Sequence, residues 1–186
     1  MKQGVKFLIL AVILIGVLVG AYFAYQNLRG DGAEITKATT ARETQSAQIA
    51  AAADFKVVDK NGNDIHLSDF SGKPTVVNFW TSWCPNCLEE MQMFENFYIE
   101  RGNEVQVLMV NLTDGDRETL KTANQVIEES HFSFPVFFDT YGEALKTYET
   151  YTIPVTLFIN SDGTIAEKYV GALNPTTFEQ KVNALH

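Results

Sequence analysis

Hydrophobic and polar residues are distributed differently in three successive parts of the chain. Residues 7–25 contain no charge, residues 26–53 contain hardly any large apolar side chain, and from Asp54 onward short apolar runs alternate with polar turns. The first part predicts a helix of about 28 Å, close to the roughly 30 Å hydrocarbon core of a bilayer. The second part cannot bury enough surface to offset its ordering entropy, so we predict a flexible tether there.

The pattern of residues 54–186 predicts one α/β domain. Asn61-Gly62 and Ser161-Asp162-Gly163 each separate two extended stretches and indicate β-hairpins. Further strands are predicted at 75–80, 104–112 and 134–139, and helices at 85–101, 117–130, 141–149 and from Pro175, which Asn174 caps. Two β-α-β crossovers followed by a hairpin and a helix predict a mixed central sheet flanked by helices.

The apolar segment 7–25 is interpreted as a single-pass anchor in the cytoplasmic membrane. Lys2 and Lys6 precede it and favour an N-terminus inside the cell. A cleaved signal peptide is the alternative, with a small-residue site at 19–21. We prefer the anchor because the apolar run continues past that site to Tyr25, longer than signal-peptide cores usually are. Both interpretations predict an extracytoplasmic domain.

The formal net charge of −9 is unevenly distributed. Residues 1–53 carry five basic and three acidic side chains, which leaves nine basic and twenty acidic side chains, a charge of −11, for the rest of the chain. An acidic domain without a basic cluster repels phosphate backbones, so we expect no nucleic-acid partner.

The only two cysteines, Cys84 and Cys87, are three residues apart. A structural disulfide between them would close almost no loop and would add little stability. A zinc site needs about four ligands, and none of the three histidines (His66, His131 and His186) has ligand spacing to the pair. We therefore expect neither a metal nor another cofactor.

A redox function has positive support from the sequence. Cys84 stands where a helix is predicted to begin, and the unpaired backbone N–H groups there favour a thiolate. Pro85 suits the first helical position, and Cys87 lies one turn later on the same face, within reach of Cys84. Cys84 can thus attack a disulfide, and Cys87 can resolve the mixed disulfide that forms. The pair predicts thiol–disulfide exchange.

Two motifs carry a resemblance to a known family. "NFWTSWCPNC" at 78–87 and "YTIPVTLFINSDGTI" at 151–165 resemble the thioredoxin superfamily, and in particular its membrane-anchored disulfide oxidoreductases of the TlpA and ResA type. The resemblance covers about 54–186. It implies a thioredoxin fold with an N-terminal hairpin and a βα insertion, which we expect at 104–131, and a thiol–disulfide oxidoreductase activity.

The resemblance also implies roles for residues around the cysteines. Pro154 is expected to be the cis-proline that faces the sulfurs, and Ile153 to offer its backbone to a client chain as an added strand. Trp83 and Pro85, which flank Cys84, complete the predicted client-binding residues. Trp80 and Phe79 are assigned to the strand and the core.

Two positions near the cysteines concern acid–base chemistry. Thioredoxin has a buried aspartate six residues before its first cysteine, where this chain has Asn78, so that base is missing. Glu90 matches a helix glutamate of the ResA-type proteins and is expected to accept a proton from Cys87 or to raise the thiol pKa values. The alternative is a solvated acid stabilised by the helix dipole, like Glu89.

The direction of exchange and several alternatives stay open at this point. The Pro-Asn pair between the cysteines favours an oxidase of the DsbA type, whereas the family resemblance favours a reductase. The expected partners are client proteins with thiols or disulfides, a membrane redox partner that resets the cysteines, and the cell membrane through residues 7–25. A tethered module that only binds a client chain or haem is the non-enzymatic alternative. A peroxiredoxin-type peroxidase needs a Thr-x-x-Cys pocket with an arginine, and we predict neither near Cys84.

Overall fold

The computed structural model describes residues 15–25 and 50–186. The chain divides into two units, Met1–Gln48 and Ile49–His186. Residues 15–25 form a helix. No helix within the described residues is both long enough and apolar enough to cross a membrane. The rest of the predicted anchor, and the tether up to residue 49, lie outside the described residues.

The second unit contains the predicted strands and helices, with ends shifted by at most three residues. The strands are β1 (Lys56–Val58), β2 (Asp64–His66), β3 (Thr75–Trp80), β4 (Gln106–Asn111), β5 (Val136–Phe138), β6 (Val155–Ile159) and β7 (Ile165–Val170). The helices are α1 (Pro85–Arg101), α2 (Leu120–Ser130), α3 (Glu143–Tyr148) and α4 (Pro175–Val182), and a 3-10 turn covers Leu67–Phe70.

All seven strands form one sheet in the order β2-β1-β5-β4-β3-β6-β7. Strands β3, β4 and β5 are parallel, because α1 and α2 provide the crossovers between them. The hairpins β1–β2 and β6–β7 pair antiparallel and extend the sheet at its two sides. The predicted mixed α/β architecture, a thioredoxin fold, is confirmed.

The sheet has a hydrophobic core on each face, since the side chains of a strand alternate between faces. Trp80 packs with α1, α2 and α4 on one face, and Phe79 packs with α3 and the 3-10 turn on the other. The ring of Phe178 on α4 lies 5.0 Å from the rings of both Phe94 and Phe97 on α1, measured between centroids. These contacts hold α1, which carries the cysteines, against α4.

The structure differs from the sequence prediction in the role of one segment and in the start of the folded unit. The segment 104–131, expected as an insertion, contributes β4, which pairs with β3 along its whole length and belongs to the centre of the sheet. The folded unit also begins earlier than Asp54. Ala51 forms a β-bridge with Thr164, and the Ala52 N–H donates a 2.8 Å hydrogen bond to the Gly163 carbonyl. The end of the predicted tether is therefore part of the sheet.

Candidate active site

Cys84 and Cys87 lie at the start of α1, directly after β3. Cys84 is the N-cap of the helix, with extended backbone angles, and Pro85 is the first helical residue, as the sequence predicted. The two cysteines form a disulfide with a Cα–Cα distance of 5.3 Å. Cys84 is 5% exposed and Cys87 is fully buried, so an incoming thiol or disulfide reaches Cys84 first.

The helix start favours a thiolate at Cys84. In the disulfide form the backbone N–H of Cys87 already donates a 3.3 Å hydrogen bond to Cys84 Sγ. After reduction the same N–H group and the positive end of the helix dipole point at a sulfur that can carry a negative charge. Cys84 is thus suited to nucleophilic attack, and Cys87 to the intramolecular resolving step.

Glu90 lies one turn after Cys87 and is buried, with 3% of its surface exposed. Burial raises the pKa of its carboxyl group from an ordinary value of 4.5 to about 7, although hydrogen bonds from the Leu173 N–H and the Asn78 side chain act in the opposite direction. The alternative of a solvated acid is therefore wrong for Glu90. A buried carboxyl with a pKa near neutrality, on the helix of the cysteines, suits proton exchange with a thiol.

Asn78 occupies the position where thioredoxin has its buried aspartate. It is fully buried on β3, and its side-chain amide donates to Glu90 Oε1 at 2.8 Å and to Thr156 Oγ1 at 3.1 Å. The backbone N–H of Leu173, before α4, donates to the other Glu90 oxygen at 2.8 Å. Both carboxyl oxygens are therefore held in place from outside α1.

The Ile153–Pro154 peptide bond is cis, as the resemblance implied. Pro154 is buried, and its carbonyl accepts a 2.9 Å hydrogen bond from the Gly171 N–H. Ile153 packs against the cluster of buried residues that includes both cysteines. Within residues 15–25 and 50–186 the backbone N–H and carbonyl of Ile153 have no hydrogen-bond partner. They are thus available for pairing with a client backbone.

Trp83 lies at the surface beside Cys84, with 40% of its area exposed, whereas Trp80 and Phe79 are fully buried. Its neighbours include two residues that the sequence analysis missed. The guanidinium of Arg117 lies 3.6 Å from the centre of the Trp83 ring, and Glu118 binds Ser82. Both follow β4, the strand beside β3, and the carboxyl ends of parallel strands meet at one edge of a sheet. This rule could have indicated from the sequence that the residues after β4 lie near Cys84.

Thr81 corrects the prediction about the peroxidase pocket. It lies three residues before Cys84, so the Thr-x-x-Cys spacing is present after all. Its side chain is buried, and its hydroxyl oxygen has no hydrogen-bond partner in the described part of the chain. Arg117, which follows β4, stacks on the ring of Trp83. Within that same part of the chain, no group of three or more His, Cys, Asp or Glu residues is placed to hold a metal ion.

Comparison with known proteins identifies the family. The sequence profile of the AhpC/TSA family matches residues 49–168, which is more than half of the chain. The chain belongs to the AhpC/TSA family. The chain is 32% identical over 141 residues to sporulation thiol-disulfide oxidoreductase A of Bacillus subtilis (strain 168), a match that covers 75% of this chain and 82% of that protein.

Two further matches agree with this relationship. The chain is 31% identical to the thiol-disulfide oxidoreductase ResA of Oceanobacillus iheyensis, and the match covers 98% of this chain and 90% of that protein. The crystal structure of StoA from Bacillus subtilis superposes with a TM-score of 0.61 at 29% identity, and covers 71% of this chain and 98% of that chain. This AhpC/TSA protein is a thiol–disulfide oxidoreductase of the ResA and StoA type, which confirms the predicted activity.

Proposed function

We propose that this enzyme reduces disulfides of client proteins outside the cytoplasm, while an N-terminal anchor tethers it to the membrane. Cys84 is the attacking residue, Cys87 is the resolving residue, and Glu90 accepts the proton of Cys87. Trp83, Pro85, Ile153 and Pro154 are the residues that position the client chain. The observation that carries the proposal is the disulfide between Cys84 and Cys87 at the N-terminus of α1.

The reaction proceeds in two exchange steps. In the reduced enzyme the Cys84 thiolate attacks one sulfur of a client disulfide, a mixed disulfide forms, and the other client sulfur leaves as a thiolate. Cys87 then transfers its proton to the Glu90 carboxylate and attacks Cys84 Sγ, and the remaining client sulfur leaves as a thiolate. The client gains two electrons, and the enzyme ends as the Cys84–Cys87 disulfide. A dithiol carried by the membrane redox partner returns the two electrons.

The reducing direction is supported by the surroundings of Cys87. When Glu90 is ionised, its buried negative charge lies one turn from Cys87 and has no ion-pair partner among the described residues. A like charge so close disfavours a thiolate at Cys87. DsbA is a strong oxidant because its reduced form is stabilised, which raises its reduction potential. A destabilised reduced form lowers the potential and favours a reductase.

The position of the N-terminal connection supports the tethered arrangement. Within the second unit, the chain enters the sheet at Ala51, beside Thr164 in the β6–β7 turn. That turn lies at the end of the sheet where β3 begins, because Thr75 pairs with Ile159. Cys84 follows the other end of β3. A chain that enters at one end of the sheet leaves the cysteines at the opposite end free to meet clients.

The reduction potential of the Cys84–Cys87 pair, measured against glutathione, tests the direction. A value near that of thioredoxin, about −270 mV or lower, is expected for a reductase. A value near that of DsbA, about −120 mV, would overturn the direction and make the enzyme an oxidase.

Cysteine variants test the roles. Cys84→Ser should abolish reduction of a peptide disulfide, whereas Cys87→Ser should accumulate a mixed disulfide at Cys84. Retention of function by Cys84→Ser would favour the module that only binds a client chain. The same preparations assayed with hydrogen peroxide show whether Thr81 supports peroxidase turnover instead.

The location can be tested in whole cells because the two active-site cysteines are the only ones in the chain. After mild reduction, a membrane-impermeant maleimide should label Cys84 in intact cells and the label should sediment with membranes. Labelling that requires cell lysis would place the domain inside the cell.

A further inference from the structure

The pair Trp83 and Arg117 forms an exposed charged surface immediately beside the attacking cysteine. The guanidinium carbon of Arg117 lies 3.6 Å from the centre of the Trp83 ring, a distance typical of a cation–π stack. Trp83 is 40% exposed and Arg117 is also exposed. Since Trp83 directly precedes Cys84, a client whose cysteine reacts with Cys84 must place its neighbouring residues near this guanidinium.

The backbone of Arg117 is held in place because its neighbour Glu118 is anchored. Glu118 is fully buried, and it accepts hydrogen bonds from the Ser82 N–H at 2.9 Å, the Ser82 hydroxyl at 2.6 Å and the Asn111 amide at 2.6 Å. Two consecutive residues of the loop between β4 and α2 thus hold the two residues that precede Cys84. The fold therefore places the backbone of Arg117 beside the residues that precede Cys84, and the stack on Trp83 orients its guanidinium.

The guanidinium of Arg117 has N–H donors that are not used in hydrogen bonds within the described residues. Within residues 15–25 and 50–186, Arg117 makes no ion pair and its side chain donates no hydrogen bond, although Asp114 lies three positions earlier. The carboxylate of Asp114 is engaged by the backbone N–H groups of Asp116 and Glu118. Arg101, the other arginine of residues 54–186, shows the contrast, since it binds two carboxylates, those of Glu104 and Glu179.

A stacked guanidinium keeps its N–H groups at the edge free, and their planar geometry matches a carboxylate. We propose that Arg117, presented on Trp83, is a specificity-determining residue that binds an aspartate or glutamate next to the reacting cysteine of the client. The inference rests on the proposed attack by Cys84. The charge of −11 on residues 54–186 repels acidic chains in general, so only a carboxylate placed at Arg117 is attracted.

The test uses the full-length reduced enzyme and three peptides that differ only beside the cysteine, which is preceded by Glu, Gln or Lys. Each cysteine forms a disulfide with a chromogenic aromatic thiol. Attack by Cys84 at the peptide sulfur releases the aromatic thiolate, and Cys87 then releases the peptide thiolate, so one disulfide is reduced and one is formed. The second-order rate constant is measured for each peptide with the native enzyme, Arg117→Gln and the matched control Lys121→Gln.

Arg117→Gln should lower the ratio of the Glu-peptide to the Lys-peptide rate constant by about two- to ten-fold, because one attraction is lost and one repulsion is relieved. The rate with the Gln peptide should change by less than about two-fold, and high salt should bring the native ratio towards that of the variant. Lys121→Gln removes the same charge from an exposed residue four positions away and should leave the ratio unchanged.

Three results would overturn the inference: an unchanged ratio in Arg117→Gln, an equal change in Lys121→Gln, or a native ratio that does not respond to salt. Failure of the proposed function looks different. In that case the native enzyme releases no aromatic thiolate from any peptide, or Cys84→Ser releases it equally well.

Discussion

The side-chain amide of Asn78 donates a 2.8 Å hydrogen bond to the carboxyl group of Glu90 in the buried space beside the cysteines. Asn78 is on β3, at the position of the thioredoxin aspartate, and Glu90 is on α1. The acidic group of the site therefore lies on the helix in this protein, whereas in thioredoxin it lies on the strand. The amide on the strand orients it here. An aspartate at position 78 would place its carboxyl group in contact with that of Glu90, which explains why the amide suits this arrangement.

Asn78→Asp should make the protein less stable, and more so as the pH rises. Two carboxyl groups within hydrogen-bonding distance cannot both ionise without a large cost, so one must stay protonated. We expect a loss of about 3 kcal/mol or more in the free energy of unfolding at pH 8, measured with urea, and a smaller loss at pH 5. In a Glu90→Gln background the same change should cost much less, and equal costs in the two backgrounds would contradict the contact.

Glu90 makes the native protein less stable as the pH rises from acidic values towards neutrality. Its pKa is about 7 in the folded protein and near the ordinary value of 4.5 in the unfolded chain. Between these values the folded state binds the extra proton, so the free energy of unfolding falls as the pH rises from about 4.5 to 7. Complete titration corresponds to roughly 3 kcal/mol.

Glu90→Gln should remove that part of the pH dependence. The free energy of unfolding of the oxidised protein is measured with urea at pH 5 and pH 8, and the difference between the two is compared in native protein and variant. Other titrating groups, such as buried Asp139, cancel in this comparison. A variant with the same pH dependence as the native protein would show that Glu90 ionises normally.

Glu90 should also act in the second chemical step. The mixed disulfide between Cys84 and an aromatic thiol can be prepared, and its resolution by Cys87 followed as the thiol is released. Because the ionised carboxylate accepts the proton of Cys87, the rate should rise with pH through about 7. Glu90→Gln should slow the step on the order of a hundred-fold and remove that rise. The exposed neighbour provides the control, since Glu89→Gln should leave both rate and pH profile close to native.

The sequence was sufficient for features that depend on local patterns. The hairpin at Asn61-Gly62, the helix that starts at Pro85 and the cap at Asn174 each depend on a few neighbouring residues, and all three were found where predicted. The place of β4 in the sheet is a non-local property, because strand order follows from how the crossovers pack.

The candidate site shows the same division. The cysteine pair is visible in the sequence, whereas Glu118 lies 36 positions from Ser82 and Leu173 lies 83 positions from Glu90. Their contacts exist only once the sheet and helices have formed. The burial of Glu90 likewise has no local signal, since Glu89 beside it is exposed.

Glu118→Ala should loosen the residues before Cys84 as well as destabilise the fold. The change leaves the Ser82 N–H, the Ser82 hydroxyl and the Asn111 amide without their acceptor, at a cost of about 3 kcal/mol. Trp83 should then become more accessible to a neutral quencher such as acrylamide. The measurement is specific, because the only other tryptophan, Trp80, is fully buried.

Glu95→Ala is the matched control for this experiment. Glu95 lies on α1 and, like Glu118, is a buried acidic residue that accepts three hydrogen bonds, here from the Ser133 N–H, the Ser133 hydroxyl and the Phe134 N–H. Its loss should lower the free energy of unfolding by a similar amount but leave the quenching of Trp83 at the native level. If both variants increased quenching equally, the effect would reflect general loosening of the fold, and Glu118 would have no particular role in positioning Trp83.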